Sequence, residues 1–203
     1  MRDSVVTAAA SLPVPARPRP DATARILEAA AARLAVSGAS ALTMQEVAEE
    51  AGVSKGLIHY HFQDKDTLLA RLVLWMAEGL VRREQAALAA SSPLSAIDDL
   101  WRWLEDELTR GHVRALVELA GWRGGRVRAA AAEATRRRRA ASTMSVERLF
   151  GLLSLRSRVP TSLLGDLLVT FVDGLAATPA ESSRGNARAS FDVLWLALLG
   201  LAD

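Results

Sequence analysis

The sequence predicts an all-α fold in two parts: an N-terminal three-helix unit built on a helix-turn-helix, and a larger C-terminal helical unit. Two observations carry that expectation. Apolar residues recur at steps of three and four from Ile26 almost to the C-terminus, and helix start or stop residues punctuate the run at Thr43, Gly52, Pro93, Gly111, Gly124 and Pro160. With 203 residues, 50% of them hydrophobic, the chain is long enough to bury a full core.

Taken in order, Met1 to Pro20 holds Pro13, Pro15, Pro18 and Pro20 among Ala, Ser and Arg, so it cannot propagate a helix and reads as a disordered arm. Arg17 and Arg19 in that arm are of the kind that reach into a minor groove. Asp21 to Val36 reads as the first helix, with Ile26, Leu27, Ala30, Ala31 and Leu34 as its apolar stripe and Ser37-Gly38 as its end.

Thr43 to Phe62, TMQEVAEEAGVSKGLIHYHF, is the stretch around which the rest is arranged. Thr43 with Glu46 three residues on is a capping box, so a helix begins there. Val47, Ala48 and Ala51 face inward while Gln45, Glu46, Glu49 and Glu50 face outward. Gly52 stops the helix by taking the left-handed conformation, and Val53 fills the corner. Ser54 caps a second short helix anchored by Ile58 and Phe62, which leaves Lys55, Gly56, Leu57, His59, Tyr60 and His61 outward. A helix that buries one narrow side and offers a cation, an aromatic ring and imidazoles on the other has the character of a major-groove recognition helix. Any helical hairpin can show a capping box and a glycine turn, so spacing alone leaves a plain hairpin open.

Asp64 caps a long fourth helix that runs to about Ala90 on Leu68, Leu69, Leu72, Val73, Met76 and Leu80. Ser91-Ser92-Pro93 breaks the chain. A helix from Leu94 then turns Ile97, Leu100, Trp101, Leu104 and Leu108 inward and Asp98, Asp99, Glu105 and Glu107 outward, with Trp103 off the stripe. Gly111 closes it, His112 to Trp122 forms the next, and Val127 to about Leu153 a long one. Arg136 to Arg139 span a full turn of that helix, cannot share one face, and read as solvated surface. Pro160 opens a helix whose Leu163, Leu164, Leu167, Leu168, Phe171, Val172 and Leu175 cover more than one face. Ala177 to Gly185 reads as a loop. The last helix, to about Leu201, is almost unbroken in Phe191, Val193, Leu194, Trp195, Leu196, Leu198 and Leu199. Two helices apolar on so many sides are either deep core or a surface covered by a second copy.

Charge does not single out a partner. The formal net charge is +2, and residues 21 to 70 carry four cations against seven acids, a net of −3. Affinity for nucleic acid must therefore come from placement, and both lysines of the chain, Lys55 and Lys65, fall in this segment. The absence of cysteine excludes disulfides, zinc-thiolate sites and cysteine nucleophiles. There is no glycine-rich phosphate loop, and two of the three histidines, His59 and His61, diverge on a helix at a spacing of two, so neither an enzyme nor a metal site is expected and no cofactor is implied. No apolar run is long enough for a signal peptide or a membrane span, which makes a cytoplasmic location the default.

The run Thr43-x-x-x-Val47-Ala48-x-x-Ala51-Gly52-Val53-Ser54-Lys55-Gly56, followed by Ile58-His59-Tyr60-His61-Phe62 and then Lys65 and Leu68, resembles the signature of the tetracycline-repressor (TetR/AcrR) family of transcriptional regulators. The resemblance extends upstream through Arg25 to Ala30 and Gly38 to Leu42. It departs at His59, where the family usually has a tyrosine that reaches a phosphate. What it implies is a helix-turn-helix DNA-binding domain over 21–66, preceded by the arm at 1–20 and followed by an effector-binding and dimerisation domain over 67–203. The implied DNA-binding residues are Thr43, Gln45, Ser54, Lys55, Gly56, Leu57, His59, Tyr60 and Lys65. Of these, Lys55 is placed to read guanine, Gln45 and Tyr60 base edges and Leu57 a thymine methyl, while Thr43, His59 and Lys65 hold phosphates.

The resemblance further implies a homodimer through the last two helices, with Leu164, Leu167, Leu168, Phe171, Leu175, Phe191, Leu194, Trp195 and Leu198 at the interface. It also implies a pocket for a small, largely hydrophobic effector, for which Trp101, Trp103, His112, Glu118, Trp122 and Phe171 are the candidates. A repressor that leaves a double-stranded DNA operator when it binds its effector is the expected function. A ligand-independent DNA-binding or architectural protein is the alternative, which a dry, fully packed interior would support; a hydrophobic-ligand carrier or enzyme is a more distant one.

Overall fold

The computed structural model describes residues 21–178 and 186–203. Among the described residues the chain forms nine helices and no strand: α1 (Ala22–Ala41), α2 (Met44–Glu50), α3 (Lys55–Phe62), α4 (Lys65–Ala89), α5 (Ala96–Arg110), α6 (His112–Ala120), α7 (Gly125–Leu152), α8 (Thr161–Ala177) and α9 (Ala187–Leu199). The all-α expectation holds. Arg17 and Arg19 of the expected arm, and 179–185 of the expected loop, lie outside the described residues; Ala177 is the last residue of α8.

The first three helices wrap one end of α4. Ile26, Leu34, Leu42, Val47, Ile58, Phe62, Leu68 and Leu69 are each 2% exposed or less and join one continuous core with the rest of the chain. α1 breaks at Gly38, whose φ of 75° only glycine adopts freely, and then adds a turn at Ala39 to Ala41 that the sequence pattern did not suggest. α5 starts two residues later than expected. The Ser92 carbonyl accepts from the amides of Ser95 and Ala96 (3.1 and 3.0 Å) and closes a turn first, which leaves Leu94 exposed ahead of the helix.

Behind this end, α4 packs along α7 and α7 along α8. The α7–α8 crossing is close at Gly165, where a Cβ would stand 2.7 Å from the Thr143 amide nitrogen and 2.9 Å from its Cα. The C-terminus is tied to the α7–α8 connection by paired backbone hydrogen bonds between Arg156 and Asp203, each 2.9 Å.

Two expectations are corrected in this region. Glu107 is not outward but fully buried, because Arg83 of α4 grips both carboxylate oxygens, with Nη2 2.8 Å from Oε2, and Arg110 stands 3.8 Å away. A carboxylate tolerates that depth only when paired in this way. The arginine run is not uniformly solvated either. Arg138 is 4% exposed and donates to Asp173 of α8 at 2.6 Å, while Arg136, Arg137 and Arg139 remain outside and pair with Glu133, Glu78 and Asp166.

Glu84 on α4 is the third buried charge, 3% exposed. Ser142 of α7 donates to its Oε1 at 3.4 Å, and its Oε2 has no partner among the described residues. Burial pushes its carboxyl above the usual glutamate range, against weaker opposing effects of Ser145, Ser142 and Arg138. The folded chain therefore holds the Glu84 proton more tightly than the unfolded chain. That contribution is fully present below the ordinary glutamate range and is lost as pH rises through the raised value. Glu84→Gln fixes the neutral form, and we expect it to stabilise the chain by about 1–3 kcal/mol at about pH 7.5 and to make little difference at about pH 4. Thermal unfolding followed by circular dichroism at both pH values checks this; an equal effect at both would remove titration of Glu84 as the cause.

Candidate nucleic-acid interface and the cavity behind it

The start of α2 is a full capping box. The Glu46 amide donates to Thr43 Oγ1 (3.2 Å), while the Thr43 amide and hydroxyl donate to Glu46 Oε2 (3.1 and 2.8 Å). These bonds, from the hydroxyl first and then the amide, with Arg33 of α1 at 2.9 Å, hold the Glu46 carboxyl below its ordinary range. α2 ends in a Schellman turn: the Val53 amide donates to the Ala48 carbonyl (2.9 Å) and the Gly52 amide to that of Glu49 (3.1 Å), with Gly52 at φ 62°. Ser54 Oγ then accepts from the Leu57 amide at 3.1 Å and starts α3.

Ile58 and Phe62 pin α3 inward with no exposed surface, and the Arg71 guanidinium covers the Phe62 ring at 5.1 Å. Ser54, Lys55, Gly56, His59 and Tyr60 are exposed, Tyr60 at 81%, and Leu57 is half-buried. Thr43 and Gln45 are exposed on α2, and the Gln45 amide nitrogen donates to Glu49 at 2.7 Å. His61 turns back instead, with Nδ1 3.3 Å from the Thr23 hydroxyl of α1. His59 folds its Nδ1 to 3.1 Å from the Gln63 carbonyl at the end of the helix.

Both ends of this unit are held by the corner between α6 and α7. At the entry, Glu118 of α6 accepts from the Ala39 amide at 2.7 Å, just past the break at Gly38. At the exit, Trp122 Nε1 donates to Asp66 (3.1 Å), and Arg126 donates to Asp64 (3.2 Å) and Thr67 (2.8 Å) in the first turn of α4. Lys65 joins the two: its Nζ donates to the Ser40 carbonyl at 3.1 Å and sits 5.4 Å from the centre of the Trp122 ring.

A cavity of about 880 Å³ opens beside that corner. Its wall is made by Leu34 to Gly38 of α1, by Trp101, Glu105, Leu108, Thr109 and Arg110 of α5, by Gly111 before α6, and by Arg114, Ala115 and Glu118 of α6. Leu175, Ala176, Thr178 and Ala187 close it from the ends of α8 and α9. A smaller cleft of about 410 Å³ lies between α4 and α5, over Trp103, Arg83 and Glu107. Among the described residues no cluster of His, Asp or Glu side chains is arranged to hold a metal ion, and no helix is long and apolar enough to cross a membrane.

Residues 26–72, the segment just described, match the family model of bacterial regulatory proteins of the tetR family. The chain carries a TetR-family DNA-binding domain. No curated protein matches the sequence. Solved structures with the same fold include a TetR-family transcriptional regulator from Rhodococcus sp. (22% identity, TM-score 0.67, covering 85% of this chain and 97% of that one). Two others are the fatty acid degradation regulator FadR from Bacillus halodurans (15%, 0.69, 91% and 97%) and the SmeT–triclosan complex (16%, 0.65, 87% and 90%). At these identities the likeness is one of fold, and it extends over the C-terminal helices as well as the TetR-family domain.

The expected effector residues separate into five places. Trp101 and Glu118 line the large cavity, and Trp103 lines the smaller cleft. His112 packs against Trp75 (ring centres 6.0 Å apart), and burial lowers its pKa. Trp122 belongs to the corner, and Phe171 is partly buried against the core. The contribution of α1 to the cavity, Leu34 to Gly38, was missed. Its one trace in the sequence is Val36, an apolar residue off the helix stripe, here 84% exposed.

The expected dimer residues also divide. Leu164, Leu168, Phe191, Trp195 and Leu198 are 9% exposed or less within the subunit, and Phe171, Leu175 and Leu194 pack partly buried against the same core, so only Leu167 is largely free. The apolar side chains left outside are Leu163 and Leu167 on α8 and Val193 and Leu196 on α9, from 45% to 71% exposed. Both helices alternate inner and outer apolar positions, and the sequence pattern alone did not say which were which.

Proposed function

We propose that this chain is a homodimeric transcriptional regulator of the TetR family, a repressor that leaves its DNA operator when a small effector enters the large cavity. In this reading residues 21–66 read DNA and 67–203 hold the effector and the dimer contact, in the cytoplasm and without a cofactor. The observation that carries it is a shared wall. The cavity is bounded on one side by α1 of the DNA-binding unit, so an occupant acts on the same unit that carries the DNA-reading face.

The DNA side rests on the exposed face of α3. Lys55 is placed for guanine, Tyr60 and Gln45 for base edges and Leu57 for a thymine methyl, with Thr43, Ser54, Gly56, His59 and Lys65 at the backbone. Gln45 must first leave Glu49, whereas the Lys65 ammonium has two further donors and can reach a phosphate while it keeps the Ser40 carbonyl. The effector side rests on a wall that offers Leu34, Val36, Trp101 and Leu108 to an apolar body and Arg110, Arg114 and Glu118 to polar ends. A neighbour in fold, SmeT, is solved in complex with triclosan. A ligand-independent architectural role needs a packed interior, and a cavity of about 880 Å³ weighs against it.

DNA selected in vitro from a random pool by the wild-type protein tests the operator reading. We expect the selected sequence to bind far above random DNA, and Lys55→Ala and Tyr60→Ala each to lose about 1–3 kcal/mol on it while keeping the salt-dependent binding common to all DNA. Equal loss on selected and random DNA would move base reading away from this face. The dimer is tested by Val193→Glu combined with Leu196→Glu. Both side chains are exposed in the subunit, so the variant is expected to keep its helicity and run as a monomer in sedimentation; a dimer that survives the pair places its contact elsewhere.

A further inference from the structure

We infer that Glu118 is a positioning residue for DNA binding: its carboxylate holds the broken end of α1, and the cavity controls the recognition helix by taking that carboxylate away. The inference rests on the operator and effector reading above and names the contact through which the two sites communicate.

Three observations converge on this side chain. Glu118 is the acceptor for the Ala39 amide at 2.7 Å. Gly38 breaks the α1 ladder with φ 75° and ψ 167°, so that amide cannot find its usual helical carbonyl and depends on an acceptor from outside the helix. Of the side chains that clamp the entry and exit of the helix-turn-helix, which are Glu118, Lys65, Asp64, Asp66, Trp122 and Arg126, Glu118 alone also lines the cavity.

The consequence travels a short way. Ser40, the next residue, gives its carbonyl to Lys65 at the start of α4, and Leu42 and Thr43 lead directly into α2. A cavity occupant that offers an N–H or O–H donor to Glu118 competes with the Ala39 amide. Release of that amide frees the turn at Ala39 to Ala41, and with it the carbonyl that holds Lys65. The occupied and empty states thus differ in a specific contact, which any ligand-driven change requires.

Hydrogen exchange read by mass spectrometry, with DNA affinity measured beside it, tests the inference on the full chain. In Glu118→Leu we expect the amides of residues 39–44 to exchange at least about tenfold faster, with α8 and α9 unchanged, and affinity for the selected DNA to fall about a hundredfold, since both copies of the dimer lose the bond. Glu118→Gln keeps a side-chain carbonyl as acceptor and is expected to stay within about twofold of wild type in both readouts. Should Glu118→Leu fail to fold, Glu118→Ala is measured in its place with the same expectations. Unchanged exchange, or faster exchange with undiminished DNA affinity, overturns the inference while leaving the operator reading intact. Loss in Gln equal to that in Leu also overturns it, since an acceptor would then not be what matters. A wild-type chain that selects no DNA overturns the operator reading and this one with it.

Discussion

The clamp that the α6–α7 corner places on the two ends of the helix-turn-helix is the constraint on which the rest depends. α2 and α3 have seven and eight residues, far too few to be helical on their own. Their shape comes from buried anchors, Val47, Ala48, Ile58 and Phe62. Their placement relative to the other helices comes from Glu118 at the entry and from Trp122 and Arg126 at the exit. Apolar packing is tolerant of small rotations, whereas these directional contacts are either made or broken. The orientation of α3 is therefore sensitive to side chains that never approach DNA.

The buried charges limit where movement can occur. Arg83–Glu107 joins α4 to α5, Arg138–Asp173 joins α7 to α8, and Glu84 reaches from α4 to the serine side of α7. Separating a buried pair of this kind strands a charge and costs about 3–5 kcal/mol, so sliding of these helices past one another is resisted. Arg83 is about a third exposed, which lowers the figure for its pair without removing it. The large cavity lies against α1 and α6, where the contacts that hold the DNA-binding unit are part-buried or exposed.

Much of this architecture is legible in the sequence because its signals are local. The capping box at Thr43, the Gly52 turn, the Ser54 cap and the Ile58 and Phe62 anchors each depend on neighbours within a few residues, and each is found as read. What the sequence hides depends on partners distant along the chain. Glu107 occupies a position three beyond Leu104 on the inner stripe, but only Arg83 on another helix explains why an acid can sit there. Arg138 is buried because Asp173 meets it, and nothing in four consecutive arginines singles out the third. The cavity is the extreme case. Its wall draws on α1, α5, α6, α8 and α9, so two of six expected residues fall on it; of the five from α1 only Leu34 belongs to the periodic stripe, and that stripe points to the core rather than to a cavity.

Magnitudes indicate whether a contact as small as the Glu118–Ala39 bond is enough to regulate binding. A hydrogen bond to an ionised acceptor contributes about 1.5–3 kcal/mol, and the lower end applies here because Glu118 is exposed and its bond only partly buried. The proposed dimer makes the bond twice, so losing both copies changes the balance by about 3 kcal/mol, or somewhat more than a hundredfold in affinity. Moving a population from 99:1 to 1:99 takes about 5.5 kcal/mol. The two bonds alone fall short of a full switch. The remainder has to come from contacts that fail with them, and Lys65 is the nearest. Its ammonium is held to the Ser40 carbonyl and the Trp122 ring only while the turn at Ala39 to Ala41 is in place. Loosening that turn unsettles the exit of the helix-turn-helix together with its entry, so the clamp gives way at both ends through a single side chain at the cavity wall.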